Sequence, residues 1–330
     1  MGCAVKPSRR PLRAHDRSLF ALRPSRRRCS SSLPEMTSDD MLPTLTRSST
    51  ILAVVVVYER DLDEVEAWPV LREGLEAASD GRSWIEHVLI YDNSTEARAR
   101  PLSEISRCSY VHDTQNGGTA AAYLRATDLA ESLHCDWLIL LDHDTRMTMR
   151  YVGQARIATT AHSAEGIAAL LPWIVHEGKP VSPSRVTWSG SIRPLSRSHP
   201  VRRDWRLTGI ASGLLIRTSA LCELRPLLRE SWLDFVDHRM FAAMRNGHLV
   251  VTVFDAELEH DLSVARPSQL SNKRLHSILA GEALFVRELS LTARLLYPVR
   301  LLVRAARFSR AQPRHAATVL AHAVRIWGIR

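Results

Sequence analysis

The feature that most constrains the fold is a series of short apolar runs separated by segments with helical periodicity. The first run, "ILAVVVVY" (51–58), is continuous and rich in β-branched residues, which is typical of a strand buried on both faces of a parallel sheet. Further runs of strand length follow at 84–94, 108–113 and 136–144. Helical patterns lie between them at 61–79 and 117–134. This alternation predicts an α/β fold with a mostly parallel central sheet flanked by helices.

Beyond residue 150 the pattern is more mixed. The run 166–175 predicts another strand, whereas 178–206 is rich in Ser, Pro and Arg and is interpreted as loops. A turn, a strand and a helix are predicted over 207–224. A helix from about Asp234 to Arg245 and a strand at 249–253 follow.

The basic charge of the chain is confined to its two ends. The formal net charge is +9, but residues 1–47 hold ten basic and four acidic side chains, and residues 283–330 hold nine and one. The 25 basic and 30 acidic residues that remain make the middle mildly acidic. We therefore expect no nucleic-acid binding by the core, and residues 1–47 are predicted to be a disordered basic arm.

The cysteines and the apolar runs bear on location. Five scattered cysteines, without a CxxC pair, favour a reduced, cytosolic protein over a disulfide scaffold. No run approaches the roughly 18–20 apolar residues that cross a bilayer, and the start of the chain lacks the apolar region of a signal peptide. We expect a cytoplasmic protein, with peripheral contact at the inner face of the cell membrane.

Polar residues follow four of the predicted strands where each strand ends. They are Tyr58, Asp92-Asn93-Ser94, Asn116-Gly117-Gly118 and Asp142-His143-Asp144. Ligands of such sheets bind beyond the carboxyl ends of the strands, so these clusters predict one shared ligand site.

Asp142 and Asp144 close the run "LILLDHDT". Residues two apart on a strand point to the same side, so both carboxylates can reach one cation. Mg²⁺ or Mn²⁺, which prefer oxygen ligands, would fit. The alternative is a pair of loop carboxylates that caps the next helix.

Two further clusters have a binding interpretation and a structural one. Asp92 can accept hydrogen bonds from a nucleotide base, or can form an Asx-turn or a helix N-cap. The backbone of Gly117 and Gly118 opens a helix, where diphosphate oxygens can approach the N–H groups.

Asp234 and Asp237 lie three residues apart at a predicted helix start. A carboxylate there can act as general base toward an acceptor hydroxyl, or can simply favour the helix N-terminus. His260, after the last predicted strand, is either a metal ligand or a packed surface histidine.

Taken in order, these segments resemble the family 2 glycosyltransferases with the GT-A fold, the nucleotide-diphospho-sugar transferase fold. The likeness is nearest to the bacterial rhamnosyltransferase branch and covers roughly residues 50–265. It rests on "AVVVVY", "YDNS", "NGGTAAAY", "LLDHDT", "TGIASGLLI", "WLDFVDHRM", "RNGHLV" and His260 with "DLS". We therefore predict a catalytic domain at 48–265 and a basic helical C-terminal extension at 266–330.

The resemblance implies inverting transfer of a sugar from a nucleotide-diphosphate donor, with Mg²⁺ or Mn²⁺ as cofactor. The predicted donor is dTDP-rhamnose, and the predicted acceptor is a cell-envelope glycan or a polyprenyl-linked precursor. The general base would be Asp237, and the metal ligands would be Asp142, Asp144 and His260. The donor-binding residues would be Tyr58, Asp92, Asn93, Asn116, Gly117, Gly118 and Asp142.

Three departures from the family pattern bear on which sugar is transferred. His143 stands where the rhamnosyltransferase branch usually has Gln, His238-Arg239-Met240 follows the base, and the usual Gly after His260 is absent. A galactofuranosyltransferase is the nearest alternative. A nucleotidyltransferase and a non-catalytic binding protein with the same fold are further ones, although "YERDLD" offers no Gly-rich loop with a Lys after the first strand.

The segment 283–310 is apolar with regularly spaced arginines, and Pro298 is predicted to split it into two helices. Arg300, Arg304 and Arg307 share one helical face, which predicts peripheral contact with an anionic membrane surface. The alternative is a helical subdomain that packs on the catalytic core or on a second protomer.

Overall fold

The structure is a computed structural model. The residues that it describes are 49–77, 83–98, 105–162, 166–198, 201, 206–260, 271–310 and 312–328. The predicted basic arm and the predicted domain boundary at residue 265 lie outside these ranges, so both stay predictions.

The described residues contain twelve β-strands and nine α-helices. The strands are β1 Ile51–Val57, β2 His87–Asp92, β3 Cys108–His112, β4 Trp137–Asp142, β5 Thr145–Arg146, β6 Ile167–His176, β7 Lys179–Ser182, β8 Ser184–Val186, β9 Ile192–Pro194, β10 Leu207–Thr208, β11 Leu214–Arg217 and β12 Val250–His260. The helices are α1 Trp68–Glu76, α2 Gly118–Ser132, α3 Met149–Ala161, α4 Thr218–Glu223, α5 Arg225–Arg229, α6 Val236–Asn246, α7 Asn272–Arg287, α8 Leu291–Phe308 and α9 Pro313–Gly328.

The central sheet has nine strands in the order β3-β2-β1-β4-β11-β6-β12-β5, with β7 paired to β6. The strands β1 to β4, β6 and β12 run in one direction, and β5, β7 and β11 run against them. The predicted α/β class with a mostly parallel central sheet is therefore confirmed.

Strand β1 explains why the first apolar run is continuous. Its alternate residues face two different apolar layers, with Ile51 and Val55 on one side and Leu52 and Val54 on the other. Helices α1 and α3 cover the first layer, and α2, α4 and α6 cover the second. Burial on both faces requires apolar residues at every position of the strand.

The predicted C-terminal helical extension is present as α7, α8 and α9. A third apolar cluster joins these helices to Ala242 of α6 and to Val186 of β8. None of the helices in the described ranges combines the length and the apolar character that crossing a bilayer requires.

The interpretation of 178–206 as loops is wrong for three segments of this range and holds for 187–191 and 195–198. Strands β7, β8 and β9 lie there, and β8 pairs with both β9 and β10 in a second, three-stranded sheet. These strands are two to four residues long. Long-range contacts stabilise them, because Gly190 in the turn after β8 lies against Ala293 of α8.

The prediction that Pro298 divides the C-terminal segment is also wrong. Helix α8 runs through Pro298 without a break, and the interruption falls at residues 288–290 instead. A proline inside a helix removes one backbone hydrogen bond. Pro298 is buried beside Tyr297 and Leu301, and that packing offsets the loss.

Candidate active site

The carboxyl ends of the first four strands lie side by side at one edge of the sheet. Val57 pairs with Asp92, which pairs with His112, and on the other side of β1 Val56 pairs with Asp142. The predicted site residues that follow these strand ends are Tyr58, Asn93, Asn116, Gly117, Gly118 and Asp144. The register thus brings the sequence clusters to one edge.

Asp142, Asp144 and His260 form a cluster with the geometry of a metal site. Each offers one ligand atom, and these atoms all lie within 4.8 Å of one another. His260 reaches the aspartates because it ends β12 and pairs there with Thr145 of β5. Its Nδ1 is buried without a hydrogen-bond partner and lies 3.4 Å from Oδ1 of Asp144. A cation would satisfy that atom.

The electrostatics of the cluster also favour a bound cation. Burial raises the pKa of Asp144 above its usual value; His260 opposes this change, and the carboxylate of Asp142 adds to it. Asp142 is held in place by the hydroxyl of Ser212, which donates to its Oδ2 at 2.7 Å. Two oxygens and one imidazole suit a divalent cation, whose charge offsets the repulsion between the carboxylates.

A cavity of about 640 Å³ opens beside this cluster. Its walls carry charges of both signs and are formed by Arg60, Glu64, Glu66, His143, Asp144, Arg146, His176, Glu177, Glu259 and His260. Of the predicted site residues, only Asp144 and His260 line it. The cavity therefore adjoins the metal cluster and does not include Asp92 or Asp237.

Asp92 is fully buried and holds the turn after β2. Its carboxylate accepts hydrogen bonds from the N–H groups of Ser94 and Arg98 and from the hydroxyl of Tyr110. Burial alone raises the pKa of Asp92, but these hydrogen bonds outweigh burial and lower it below its usual value. The bond to Ser94 is the Asx-turn that the sequence offered as the alternative, and contact with a nucleotide base stays a prediction.

The two glycines at the start of α2 already have protein partners for their N–H groups. Gly117 donates to Oδ2 of Asp113 at 2.8 Å, and Gly118 donates to Oδ1 of Asn93 at 3.1 Å. The same Asp113 oxygen accepts the hydroxyl of Tyr91. These contacts fix the loop between β3 and α2 against the end of β2.

Trp232 joins this loop to the segment that precedes α6. Its indole N–H donates to the carbonyl oxygen of Asn116 at 2.7 Å, and its own carbonyl accepts the N–H of Ala120 at 3.0 Å. The side chain is 42% exposed.

Asp234 and Asp237 have different surroundings. Asp234 precedes α6 and turns toward α7, where its carboxylate meets Arg274 at 3.0 Å and the hydroxyl of Ser277. Asp237 lies in the first turn of α6 and accepts the N–H of His238 at 2.7 Å. Neither aspartate is the N-cap, which is Phe235. Asp234 is thus committed to the contact with α7, and Asp237 is the better candidate for the base.

Tyr123 of α2 connects the two predicted parts of the site. Its side chain is fully buried, and burial raises its pKa well above the usual value. The carboxylates of Asp142 and Asp237 raise it further. Tyr123 also packs in the same apolar layer as Leu140 of β4 and Val236 of α6, so the strand that ends in Asp142 and the helix that carries Asp237 contribute to one layer.

Sequence reasoning assigned no role to Ser212, Trp232 or Tyr123. All three lie inside motifs that carried the family resemblance, but their partners are far away along the chain. Ser212 and Asp142 are 70 positions apart, and Trp232 and Asn116 are 116 apart. Spacing within a motif carries no information on such contacts.

Several solved structures are similar to this chain. TarS of S. aureus (residues 1–349) is 13% identical over 80% of this chain and 73% of its own, with a TM-score of 0.43. GalNAc-T7, solved with UDP, GalNAc and Mn²⁺, is 12% identical over 71% and 47%, with a TM-score of 0.47. Mannosyl-3-phosphoglycerate synthase of Rubrobacter xylanophilus is 13% identical over 76% and 75%, with a TM-score of 0.44. Similarity of this extent carries no conclusion about donor, metal or acceptor.

The sequence comparisons are more specific. No curated protein sequence matches the chain. The sequence model of the family described as "Glycosyl transferase family 2" matches residues 53–211, which run from β1 to the turn before β11 and include the aspartates of the metal cluster. Residues 53–211 belong to glycosyl transferase family 2, and the chain is a glycosyltransferase with the GT-A fold.

Proposed function

We propose that this glycosyltransferase transfers L-rhamnose from dTDP-rhamnose, with inversion at the anomeric carbon, to a cell-envelope glycan or a polyprenyl-linked acceptor. The observation that carries the proposal is the cluster of Asp142, Asp144 and His260 at the carboxyl edge of the sheet, on which the helix that carries Asp237 also packs. The choice of sugar rests on the resemblance of the motifs to rhamnosyltransferases. Transfer of galactofuranose is the alternative that the departure at His143 leaves open.

The donor would lie along the carboxyl edge of β1 to β4. Tyr58 is half exposed at the end of β1, and Asp92, Asn93, Asn116 and the backbone of Gly117-Gly118 follow at the neighbouring strands. Asp142, Asp144 and His260 would hold Mg²⁺ or Mn²⁺, which when bound neutralises charge on the diphosphate and makes it a better leaving group.

Asp237 would act on the acceptor. The acceptor hydroxyl oxygen forms a bond to the anomeric carbon, and its proton passes to the carboxylate of Asp237. The bond from the anomeric carbon to the diphosphate oxygen breaks, and the diphosphate leaves with the electron pair. Attack opposite the leaving group inverts the configuration of the sugar.

The experiment combines thermal shift with product analysis. Purified protein is screened against sugar nucleotides with and without Mn²⁺, because a ligand that binds only the folded state raises the melting temperature. We expect dTDP-rhamnose to stabilise the protein only when Mn²⁺ is present, and Asp144→Asn to abolish this effect. Asp237→Asn should keep the thermal shift and slow transfer by about 10²–10⁴-fold.

Asp255→Asn is the matched control, since Asp255 is exposed on β12, the strand that ends in His260. It should retain both binding and transfer. Transfer from another sugar nucleotide only would refute the choice of rhamnose, and full transfer by Asp237→Asn would refute the assignment of the base.

A further inference from the structure

Helix α8 has two apolar faces, of which only one is buried. Its inward face packs in the C-terminal cluster through Ala293, Tyr297, Leu301 and Ala305. Its outward face carries large apolar side chains that are 39–69% exposed, namely Leu291, Leu295, Val299, Leu302 and Val303. These positions recur at the spacing of one helical stripe, and isolated exposed leucines are ordinary whereas a continuous stripe is not.

Helix α9 also exposes apolar side chains. It packs against α8 across a short connection, and Leu320 and Val324 are 43% and 68% exposed on it. We call the exposed stripe of α8 the outer apolar face. At about 1.5 Å per residue, its span from Leu291 to Val303 is about 18 Å.

The charged side chains of α8, α9 and the connection between them are all basic. Residues 289–330 contain no Asp or Glu. The exposed arginines of the two helices and their connection are Arg294, Arg307, Arg310, Arg314 and Arg325.

Two arginines that the sequence assigned to a membrane-facing side lie elsewhere. Arg300 and Arg304 pair with Glu282 of α7, which is 2% exposed, at 3.1 and 2.6 Å. They hold α8 to α7. The membrane-facing side predicted from Arg300, Arg304 and Arg307 is therefore wrong for Arg300 and Arg304. The candidate side is instead the outer apolar face, together with the exposed arginines of α8, α9 and their connection.

We propose that the outer apolar face binds the surface of an anionic lipid bilayer. Leucine and valine side chains would enter the boundary between headgroups and acyl chains, while the arginines meet lipid phosphates. Charge argues against two other binding partners for this face. A second copy of the chain would bring the same arginines together without an acidic partner. Residues 1–47 of the chain itself also carry an excess of basic residues. An anionic bilayer supplies both apolar volume and negative charge.

The test is sedimentation of the full-length protein with vesicles, with neither donor nor acceptor present, so that its outcome is independent of the proposed activity. We expect binding to vesicles of phosphatidylglycerol and phosphatidylcholine, and at least tenfold weaker binding to phosphatidylcholine alone. Leu291→Asn/Leu295→Asn should weaken binding at least tenfold, because an apolar side chain contributes about 1.5–3 kcal/mol when buried. Arg307→Gln/Arg314→Gln should weaken it about 25-fold at about 1 kcal/mol per basic residue.

Helix α3 supplies matched controls. Ile157 is 65% exposed and Arg156 is exposed beside it, so Ile157→Asn and Arg156→Gln change the same residue types outside the C-terminal helices. Both should bind vesicles like the wild type, and melting temperatures check that all variants are folded. Equal binding to both vesicle types, no binding, or a dimer that the α8 variants dissociate would each overturn the proposal.

Discussion

Gly118 decides how the loop that begins α2 meets the segment that precedes α6. Its φ is 72°, in the left-handed region where L side chains are strained. A Cβ at this position would lie 2.4 Å from the carbonyl oxygen of Trp232. That carbonyl accepts the N–H of Ala120, so the two segments are hydrogen-bonded where they approach. The close approach requires both the absence of a side chain and the positive φ.

Gly118→Ala should therefore lower the free energy of unfolding by about 2–4 kcal/mol, from backbone strain and the clash together. Urea unfolding measures the change. Gly153→Ala is the control: in α3 a Cβ meets no atom within 4 Å, and alanine there should raise stability by about 0.5–1 kcal/mol. Equal effects of the two substitutions would contradict the role given to Gly118.

At the scale of single residues, the sequence predicted which residues lie at strand ends better than it predicted which residues they contact. Asp142 and Asp144 could be predicted as strand-end residues because a buried apolar run precedes them, and side chains on a strand alternate. The orientation of Asp142 by Ser212 could not be predicted, since Ser212 lies 70 positions further along the chain and reaches Asp142 only through the pairing of β11 with β4. The pairing of Asp234 with Arg274 escaped prediction for the same reason.

Among the elements, α7 has the most direct connection to the predicted base. It contacts the start of α6 along its length, through the pairs Asp234–Arg274, Phe235–Phe285 and Arg239–Glu288. Phe235, the N-cap of α6 between Asp234 and Asp237, has a φ of 63°, which is uncommon for a bulky side chain. The contacts on both sides hold this conformation, and they hold the backbone that carries Asp237.

Arg274→Gln tests this connection through the charge of Asp234. Burial raises the pKa of Asp234 above its usual value, and Arg274 and Ser277 act against that change. Without Arg274 the buried carboxylate loses its cation, and we expect a loss of about 1–2 kcal/mol of stability at neutral pH. Because a neutral carboxyl needs no cation, the loss should shrink as the pH falls through the raised pKa of Asp234.

Urea unfolding at several pH values measures this difference. Lys273→Gln is the control, because Lys273 is an exposed cation one residue earlier in α7. A loss of stability in Arg274→Gln that stays constant with pH would show that the contact acts through packing alone. Turnover should fall with the Michaelis constant for the donor unchanged, since the base and not the donor edge is disturbed.

The strands and helices that the sequence predicted correctly are those whose conformation is determined by their own residues. Strands β1 to β4 are apolar runs that end in polar turns, and α2 begins at glycines and contains good helix formers. Strands β7 to β9 are stable because of partners elsewhere, whereas their Ser, Pro and Arg content indicates loops. The prediction that Pro298 ends a helix was wrong because tertiary packing in the C-terminal cluster overrides the local preference of proline.

At the scale of the whole molecule, helix α6 links the apolar cluster of the C-terminal helices to a layer of the sheet. Ala242 of α6 belongs to the C-terminal cluster, while Met240 and Phe241 beside it pack on the sheet. Residues 46–330 accordingly form one compact unit. Within it, Glu282 is the most buried carboxylate of the extension, and its pairs with Arg300 and Arg304 join α7 to α8.

Glu282→Gln should lower the free energy of unfolding by about 2–3 kcal/mol, because it removes a buried carboxylate and leaves two partly buried arginines without their counter-charge. The same change at Glu257, whose pair with Arg197 is about half exposed, should cost less than about 1 kcal/mol. Urea unfolding is followed by far-ultraviolet circular dichroism, which reports the helices, and by tryptophan fluorescence, to which seven of the eight tryptophans contribute from outside the extension, among them Trp137 and Trp173 in the sheet. If the extension and the sheet unfold together, both signals shift to the same lower midpoint in Glu282→Gln. A helical signal that is lost first, with the fluorescence midpoint unchanged, would show instead that the extension unfolds independently of the catalytic core.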